Sequence, residues 1–167
     1  MKIAGFYDES ISNGLGWRAV LFVSGCPHKC KGCHNQDAQD FNYGEEFNEQ
    51  EILNKIQENS ILKGITISGG EPLCGQNISE VLGFVKNVKK VRPEFNVWCY
   101  TGYTLEQLEK RQDEVTNEAL NQIDVLVDGR FIESKKNPSL KFRGSENQRL
   151  LDLRKSLMQK KIVELGI

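Results

Sequence analysis

Four short apolar runs constrain this fold more than any other feature: Trp17–Val23, Gly64–Ser68, Asn96–Tyr100 and Asp124–Val127. They are rich in β-branched and aromatic side chains, and none is long enough for a typical helix. Near-continuous apolar character, rather than alternation, predicts strands buried on both faces. The stretches between them carry helical spacing. Asn48 to Asn59 opens on a capping residue with Glu51 three positions later, and Ile52, Leu53 and Ile56 share a face. Ile78, Val81, Leu82, Val85 and Val88 keep that spacing over three turns. Residues 104–111 and 116–122 carry further helical patterns.

Strands alternating with helices predict parallel strand–helix–strand units and an α/β fold. The runs end near residues 23, 68, 100 and 127. A conspicuous polar or glycine-rich motif follows each one: Cys26–Cys33, Gly69–Pro72, Thr101–Tyr103 and Asp128–Arg130. In parallel α/β folds the loops after the strands share one face, where active sites sit. Motifs spread along the chain are therefore expected to converge. A complete eight-unit barrel typically needs ~250 residues, and this chain has 167. We expect a single domain over residues 1–167. Its architecture is expected to be a partial, open (β/α) barrel of roughly five to six parallel strands, with one side exposed for a large partner. Residues 2–7 read as a short edge strand, Ser134 to Gly144 as loop, and Leu150 to Leu165 as a mixture of strand and helix signals.

The cysteines carry the chemistry. Three of the five fall in one loop as Cys26-x3-Cys30-x2-Cys33. An odd count, with no cleavage signal or long apolar core in residues 1–8, disfavours disulfides. Three thiolates do not complete a tetrahedral zinc site, although His28 or His34 could supply a fourth ligand. An iron–sulfur cluster normally takes four thiolates, so one held by three leaves an iron open. The spacing leaves three readings: structural zinc, an electron carrier, or a cluster with an iron available for chemistry. Cys74 and Cys99 read as small buried hydrophobes.

Composition narrows the partners. A formal net charge of −1 gives no global field for nucleic acid or an anionic membrane. No run approaches the length of a transmembrane helix. Clustered cysteines without a secretory signal fit the reducing cytoplasm. Gly69-Gly70-Glu71-Pro72 lets backbone approach a ligand closely, and Glu71 adds a negative charge. A plain strand-to-helix turn would use the same residues. Asp128 could bond a ribose hydroxyl or cap the next segment. Thr101 and Tyr103 divide the same way, between ligand contact and local turn.

The cysteine spacing after the first buried strand and Gly-Gly-Glu-Pro after the next resemble the radical S-adenosylmethionine (SAM) enzymes. Further segments narrow the resemblance: Val23–Cys33, Ile67–Leu73, Thr101–Tyr103, Val127–Phe131 and Ser139–Ser145 with Asn147-Gln148. Together they are similar to the activating subunits of anaerobic ribonucleotide reductase, in order along nearly the whole chain. That resemblance implies a 4Fe–4S cluster on Cys26, Cys30 and Cys33, with the amino and carboxylate groups of SAM on the open iron. Gly69, Gly70 and Glu71 would hold the methionine end, at its amino group. Gly32, Cys33, His34, Thr101 and Asp128 are the remaining cofactor-contact candidates.

The implied reaction is reductive cleavage of SAM to methionine and a 5′-deoxyadenosyl radical. That radical would generate a glycyl radical on the reductase large subunit. No acid or base residue is required. The implied electron donor is a flavodoxin-like protein. Other readings are a small radical SAM enzyme acting on a free metabolite, and a non-catalytic zinc module using three cysteines and a histidine. The sequence departs from the family in three places. Gly32 stands where an aromatic residue often contacts adenine, which turns attention to its backbone and to His34. Leu15 stands where proline is frequent, and Lys135-Lys136-Asn137 where Lys-Asp is frequent.

Overall fold

The apolar runs become the middle of one seven-stranded sheet. The structure, a computed structural model, describes residues 1–167. The strands are β1 (Lys2–Ser10), β2 (Arg18–Val23), β3 (Glu45–Glu46), β4 (Gly64–Gly69), β5 (Asn96–Tyr100), β6 (Val125–Asp128) and β7 (Arg149–Asp152). Their spatial order is β3-β1-β2-β4-β5-β6-β7. The helices are α1 (Glu49–Glu58), α2 (Ile78–Val91), α3 (Leu105–Glu109), α4 (Glu114–Gln122) and α5 (Leu153–Gln159). No helix is long and apolar enough to cross a membrane.

Strands β2, β4, β5 and β6 pair in parallel, while β1, β3 and β7 pair antiparallel. The parallel set therefore holds four strands, not the five to six expected. A parallel neighbour needs a crossover of roughly a dozen residues or more, usually helical. The segment between β6 and β7 contains only one short 3-10 turn, Glu133–Lys135, so the chain returns antiparallel. Strand β1 is also longer than expected and is not an edge. The edge is β3, two exposed glutamates that carry no strand pattern.

The two sheet faces have different covers. One face presents Ala19, Leu21, Val23, Ile65, Ile67, Val97, Cys99 and Leu126 to a core built with Ile52, Ile56, Val81, Phe84, Val85, Val88, Leu108 and Leu120 from the helices. Helix α1 starts where its sequence predicts, with the Asn48 side chain accepting from the Glu51 N–H. The other face carries two cross-strand rows. The lower row is Val20, Thr66, Trp98 and Val125, and the upper row is Phe22, Ser68, Tyr100 and Val127. No helix covers this second face. Trp98, Val125, Val127 and Leu150 form a small separate core there, closed by Phe142 and Leu165.

Arg18 plugs the lower end of that face. It is fully buried with no carboxylate partner, and burial lowers its pKa to about 10. All five of its N–H groups are satisfied. Nε donates to Thr66 Oγ1 at 2.8 Å, Nη1 to Asn96 Oδ1 (2.7 Å) and Leu15 O (3.1 Å), and Nη2 to Ile65 O (2.7 Å) and Asn96 O (3.0 Å). Trp98 lies 5.3 Å from the guanidinium carbon. Replacing Arg18 by Met strands several buried acceptors, each worth ~1–3 kcal/mol when left unpaired. Arg18→Met is expected to lower unfolding free energy by about 3 kcal/mol, measured by urea titration. A loss below about 0.5 kcal/mol, the scale of a neutral surface change, would show that the plug is dispensable.

Candidate functional site

The strand ends on the helix-free side surround a cavity of about 450 Å³. That falls within the ~300–1,000 Å³ usual for small-molecule sites. Cys26, Cys30 and Cys33 all line it, with His28, His34 and Asn35 from the same loop. At the end of β4 stand Gly69, Gly70 and Glu71, after β5 Thr101 and Gly102, and after β6 Gly129 and Phe131. The upper row of the sheet forms the floor, through Phe22, Ser68, Tyr100 and Val127. Motifs separated by a hundred residues thus meet in one concavity, as the strand pattern predicts.

The three thiols are free. Burial pushes the Cys26 thiol up to about 11. Burial, with the adjacent Cys33, also raises Cys30. Nearby backbone N–H groups, of His28 and Lys29 at Cys26 and of Phe131 at Cys30, partly oppose the rise. Burial favours the neutral thiol, and a bound soft cation reverses this because it takes the thiolate. Three thiols lining one cavity are the donor type that iron–sulfur clusters take. No three His, Cys, Asp or Glu side chains gather tightly enough for a single metal ion. Of the two histidines, His28 has its Nε2 engaged with Glu71 at 2.7 Å, and the His34 ring packs 5.1 Å from that of Phe131.

Glu71 holds the site together. Its Oε1 accepts from Thr101 Oγ1 (2.8 Å) and the Leu73 N–H (2.9 Å). Its Oε2 accepts from the Gly102 N–H (2.7 Å) and His28 Nε2 (2.7 Å). A carboxylate has about four lone-pair sites, so the fold fills them all. The carboxylate thereby positions the loops around it. His28 in turn packs edge-on against Tyr103, 4.4 Å between centroids. The cysteine loop, the Gly-Gly turn and the Thr101–Tyr103 turn are therefore joined through one acid.

Gly69 and Gly70 are required by packing before any ligand arrives. A Cβ on Gly70 would sit 2.3 Å from Gly25 O and 2.7 Å from Ala38 O. Gly69 has φ +104°, and a Cβ there would lie 2.4 Å from Val23 O. Both neighbours are backbone and cannot swing aside. The turn's N–H groups are also used, Gly70 to Val23 O at 2.7 Å and Glu71 to Gly25 O at 2.8 Å. The turn thus has carbonyls, not amides, to offer a ligand.

Two predicted contacts lie elsewhere. Asp128 is fully buried and absent from the cavity wall. It accepts from the Leu105 N–H at the start of α3 (2.8 Å) and from Arg149 Nε (2.9 Å) and Nη2 (2.5 Å). Arg149 also clamps Glu106, holding that carboxyl down to about 2. Of the two readings of Asp128, capping is the one its contacts match. Gly32 is outside the lining too, where a Cβ would meet Glu133 Oε1 at 2.9 Å. His34, Cys33, Gly69, Gly70, Glu71 and Thr101 line the cavity as expected.

The sequence gives no site role to the aromatic walls, Phe22, Tyr100, Phe131 and Phe142, or to the polar Asn35, Arg143 and Gln148, although Phe131, Phe142, Arg143 and Gln148 lie in the segments that narrow the family resemblance. Most of these are ordinary apolar or loop residues along the chain. Phe131, Arg143 and Gln148 belong to or flank a strap, residues 129–148, that crosses the cavity edge.

Residues 12–151 match the family model of the 4Fe–4S single cluster domain. This domain class agrees with three thiols in one cavity. The chain is 43% identical over 152 residues to the anaerobic ribonucleoside-triphosphate reductase-activating protein of Haemophilus influenzae, covering 89% of this chain and 96% of that protein. It is 40% identical over 158 residues to the protein of that name from Escherichia coli strain K12, covering 92% and 100%. The one from Enterobacteria phage T4 is 40% identical over 157 residues, covering 90% and 93%. The chain belongs to the family of anaerobic ribonucleoside-triphosphate reductase-activating proteins.

Cys30→Ala is expected to lose most of the iron that wild type retains after anaerobic reconstitution, whereas Cys99→Ala, in the helix-side core, retains it. Iron and sulfide analysis with the visible spectrum decides this. Full iron in the Cys30 variant would remove it as a ligand. Glu71→Gln puts an amide where four donors converge, so one donor at least faces an NH2 group. We expect a loss of about 2–3 kcal/mol in stability and slower cluster uptake. Unchanged stability and uptake would show that Glu71 does not order the loops. Gly70→Ala is expected to impair folding and cluster uptake as well as ligand binding. Loss of ligand affinity alone would contradict the packing role.

Proposed function

We propose that this protein is a radical SAM activase that installs a glycyl radical on anaerobic ribonucleotide reductase. The observation that carries the reading is three free thiols and a close-packed Gly-Gly turn lining one cavity on the uncovered side of the sheet. The reading also draws on what the relatives are named for activating. In it, the four parallel strands and their flanking antiparallel strands form the wall of a partial, open barrel in a single domain.

Cys26, Cys30 and Cys33 would hold a 4Fe–4S cluster and leave one iron for SAM. When bound, the cluster supplies one electron that splits SAM into methionine and a 5′-deoxyadenosyl radical, which takes hydrogen from a glycine Cα of the reductase. The protein's own residues bind and position. The Gly69-Gly70 turn offers carbonyl acceptors, which suit an ammonium group and not a carboxylate. His34 and Phe131 offer rings for adenine. Phe22, Tyr100 and Phe142 line the rest with apolar surface that limits water. Burial raises the Tyr100 phenol well above its ordinary range, so that wall stays neutral at physiological pH. Homolysis of this kind requires no proton transfer, and the cavity's one carboxylate, on Glu71, is occupied by the fold. The reductase glycine would enter from the helix-free side. Electrons would come from a flavodoxin-like protein in a reducing compartment such as the cytoplasm.

The test is anaerobic. Protein reconstituted with iron and sulfide, then reduced with dithionite, is expected to convert SAM to 5′-deoxyadenosine detectable by mass spectrometry. Adding a reductase large subunit should give a glycyl radical by EPR. A reduced, cluster-loaded protein that forms neither product with its cognate reductase would overturn the reading.

A further inference from the structure

The cavity wall contains one guanidinium, that of Arg143 on the strap. Its state differs from that of Arg18 and Arg149. Arg18 satisfies all five N–H groups. Arg149 grips two carboxylates. Arg143 makes one hydrogen bond from its guanidinium, Nη1 to Gln148 O at 3.0 Å, and pairs with no acid. Its Nε is sealed from solvent without a partner. Buried donors are nearly always paired in native structures; Nη2 has no protein partner either and is not sealed, so the outer end of the guanidinium is where an acceptor can be met. The cavity's one carboxylate does not serve it, because all the lone pairs of Glu71 are filled.

We propose that Arg143 is the anchor for the carboxylate of the SAM aminoacyl group. This rests on reading the cavity as a SAM site. The adjoining residue places the strap near the cluster loop: a Cβ on Gly144 would lie 3.4 Å from His34 Cε1, one residue beyond Cys33. The carboxylate of an iron-chelating amino acid must lie by that loop. A guanidinium presents a planar fork that matches a carboxylate in two hydrogen bonds. It also completes a division of labour. The Gly-Gly turn has its amides engaged at 2.7 and 2.8 Å and offers only acceptors, which suit the ammonium. The carboxylate needs donors from elsewhere, and Arg143, the one guanidinium in the wall, has N–H groups to spare.

The test measures binding to the cluster-loaded protein by equilibrium dialysis, for wild type, Arg143→Lys and Arg143→Met. The two probes are SAM and its decarboxylated analogue, S-adenosyl-3-methylthiopropylamine. A charge-assisted pair is worth roughly tenfold to a hundredfold in affinity. Arg143→Met is therefore expected to weaken SAM binding by about that factor and to leave the analogue's affinity within about twofold of wild type. Arg143→Lys, which keeps the charge but not the fork, should fall between. Cluster content and thermal midpoint are read alongside, and the lysine variant serves if the methionine variant fails to fold. Equal losses for both probes, or none for either, would overturn the assignment. Wild type that binds neither probe would overturn the SAM reading itself, and this assignment with it.

Discussion

The site depends on the burial of one carboxylate. Glu71 is fully buried, and an ionised acid out of water is tolerated only when hydrogen bonds replace its hydration. Here the donors are His28, Thr101, Leu73 and Gly102. They come from the cysteine loop, the turn after β5 and the acid's own turn. Satisfying the acid therefore fixes three loops relative to one another. None of those loops has regular structure of its own, and loops without such ties are the mobile parts of a fold. The cysteines face a common cavity because His28, between the first two of them, is bound to Glu71.

The same requirement shapes the sheet beneath. Helices cover one face, and the other must remain open above to form a cavity. An open apolar face would collapse or aggregate, so its lower half is filled by Arg18, Thr66, Trp98 and Asn96 in a hydrogen-bonded plug. Placing a full cation there requires every donor to find an acceptor, which the loop carbonyl of Leu15 helps to provide. The result is a closed floor under an open mouth. Apolar wall residues begin immediately above it, with Phe22 and Tyr100.

These relations explain what could be read from the chain. Strand ends and helix starts were legible because each is written locally: the apolar run Arg18–Val23, the cap at Asn48, the spacing from Ile78 to Val88. The converging face followed from connection rules. The edge strand β3 was not legible, since two exposed glutamates pair only because β1 passes beside them. The roles of Glu71, Asp128 and Gly70 were open for the same reason. An acid after a strand looks identical whether it meets a ligand or an N–H group 31 residues away, as Glu71 meets that of Gly102. Only the three-dimensional neighbours decide: Leu105 and Arg149 around Asp128, and the Gly25 and Ala38 carbonyls against Gly70. The cysteine spacing was legible because its geometry lies within one loop.

The strap shows how a short chain finishes a cavity without further strand–helix units. Residues 129–148 fold back on themselves, with Asn137 N–H to Gly144 O at 3.1 Å and Glu146 N–H to Lys135 O at 2.9 Å. One side chain pins both ends. Gln148 Oε1 accepts from the Gly144 and Ser145 N–H groups at 2.9 and 3.1 Å, while its Nε2 donates to Gly129 O at 2.9 Å. Ser145 Oγ accepts from the Ile132 N–H at 3.2 Å. Phe142 is held in a left-handed conformation, φ 58°, with its ring edge-on to Trp98 at 5.3 Å. A non-glycine residue in that region costs of order 1 kcal/mol or more and persists only when its surroundings fix it. Here the fixing contact is the ring, and it ties the strap to the plug below the cavity. Arg143 follows directly, so its guanidinium is set by the same two anchors that set the cavity wall. The side with an unpaired cation is thus anchored, as the side with the cysteines is, by hydrogen bonds and ring packing within the fold.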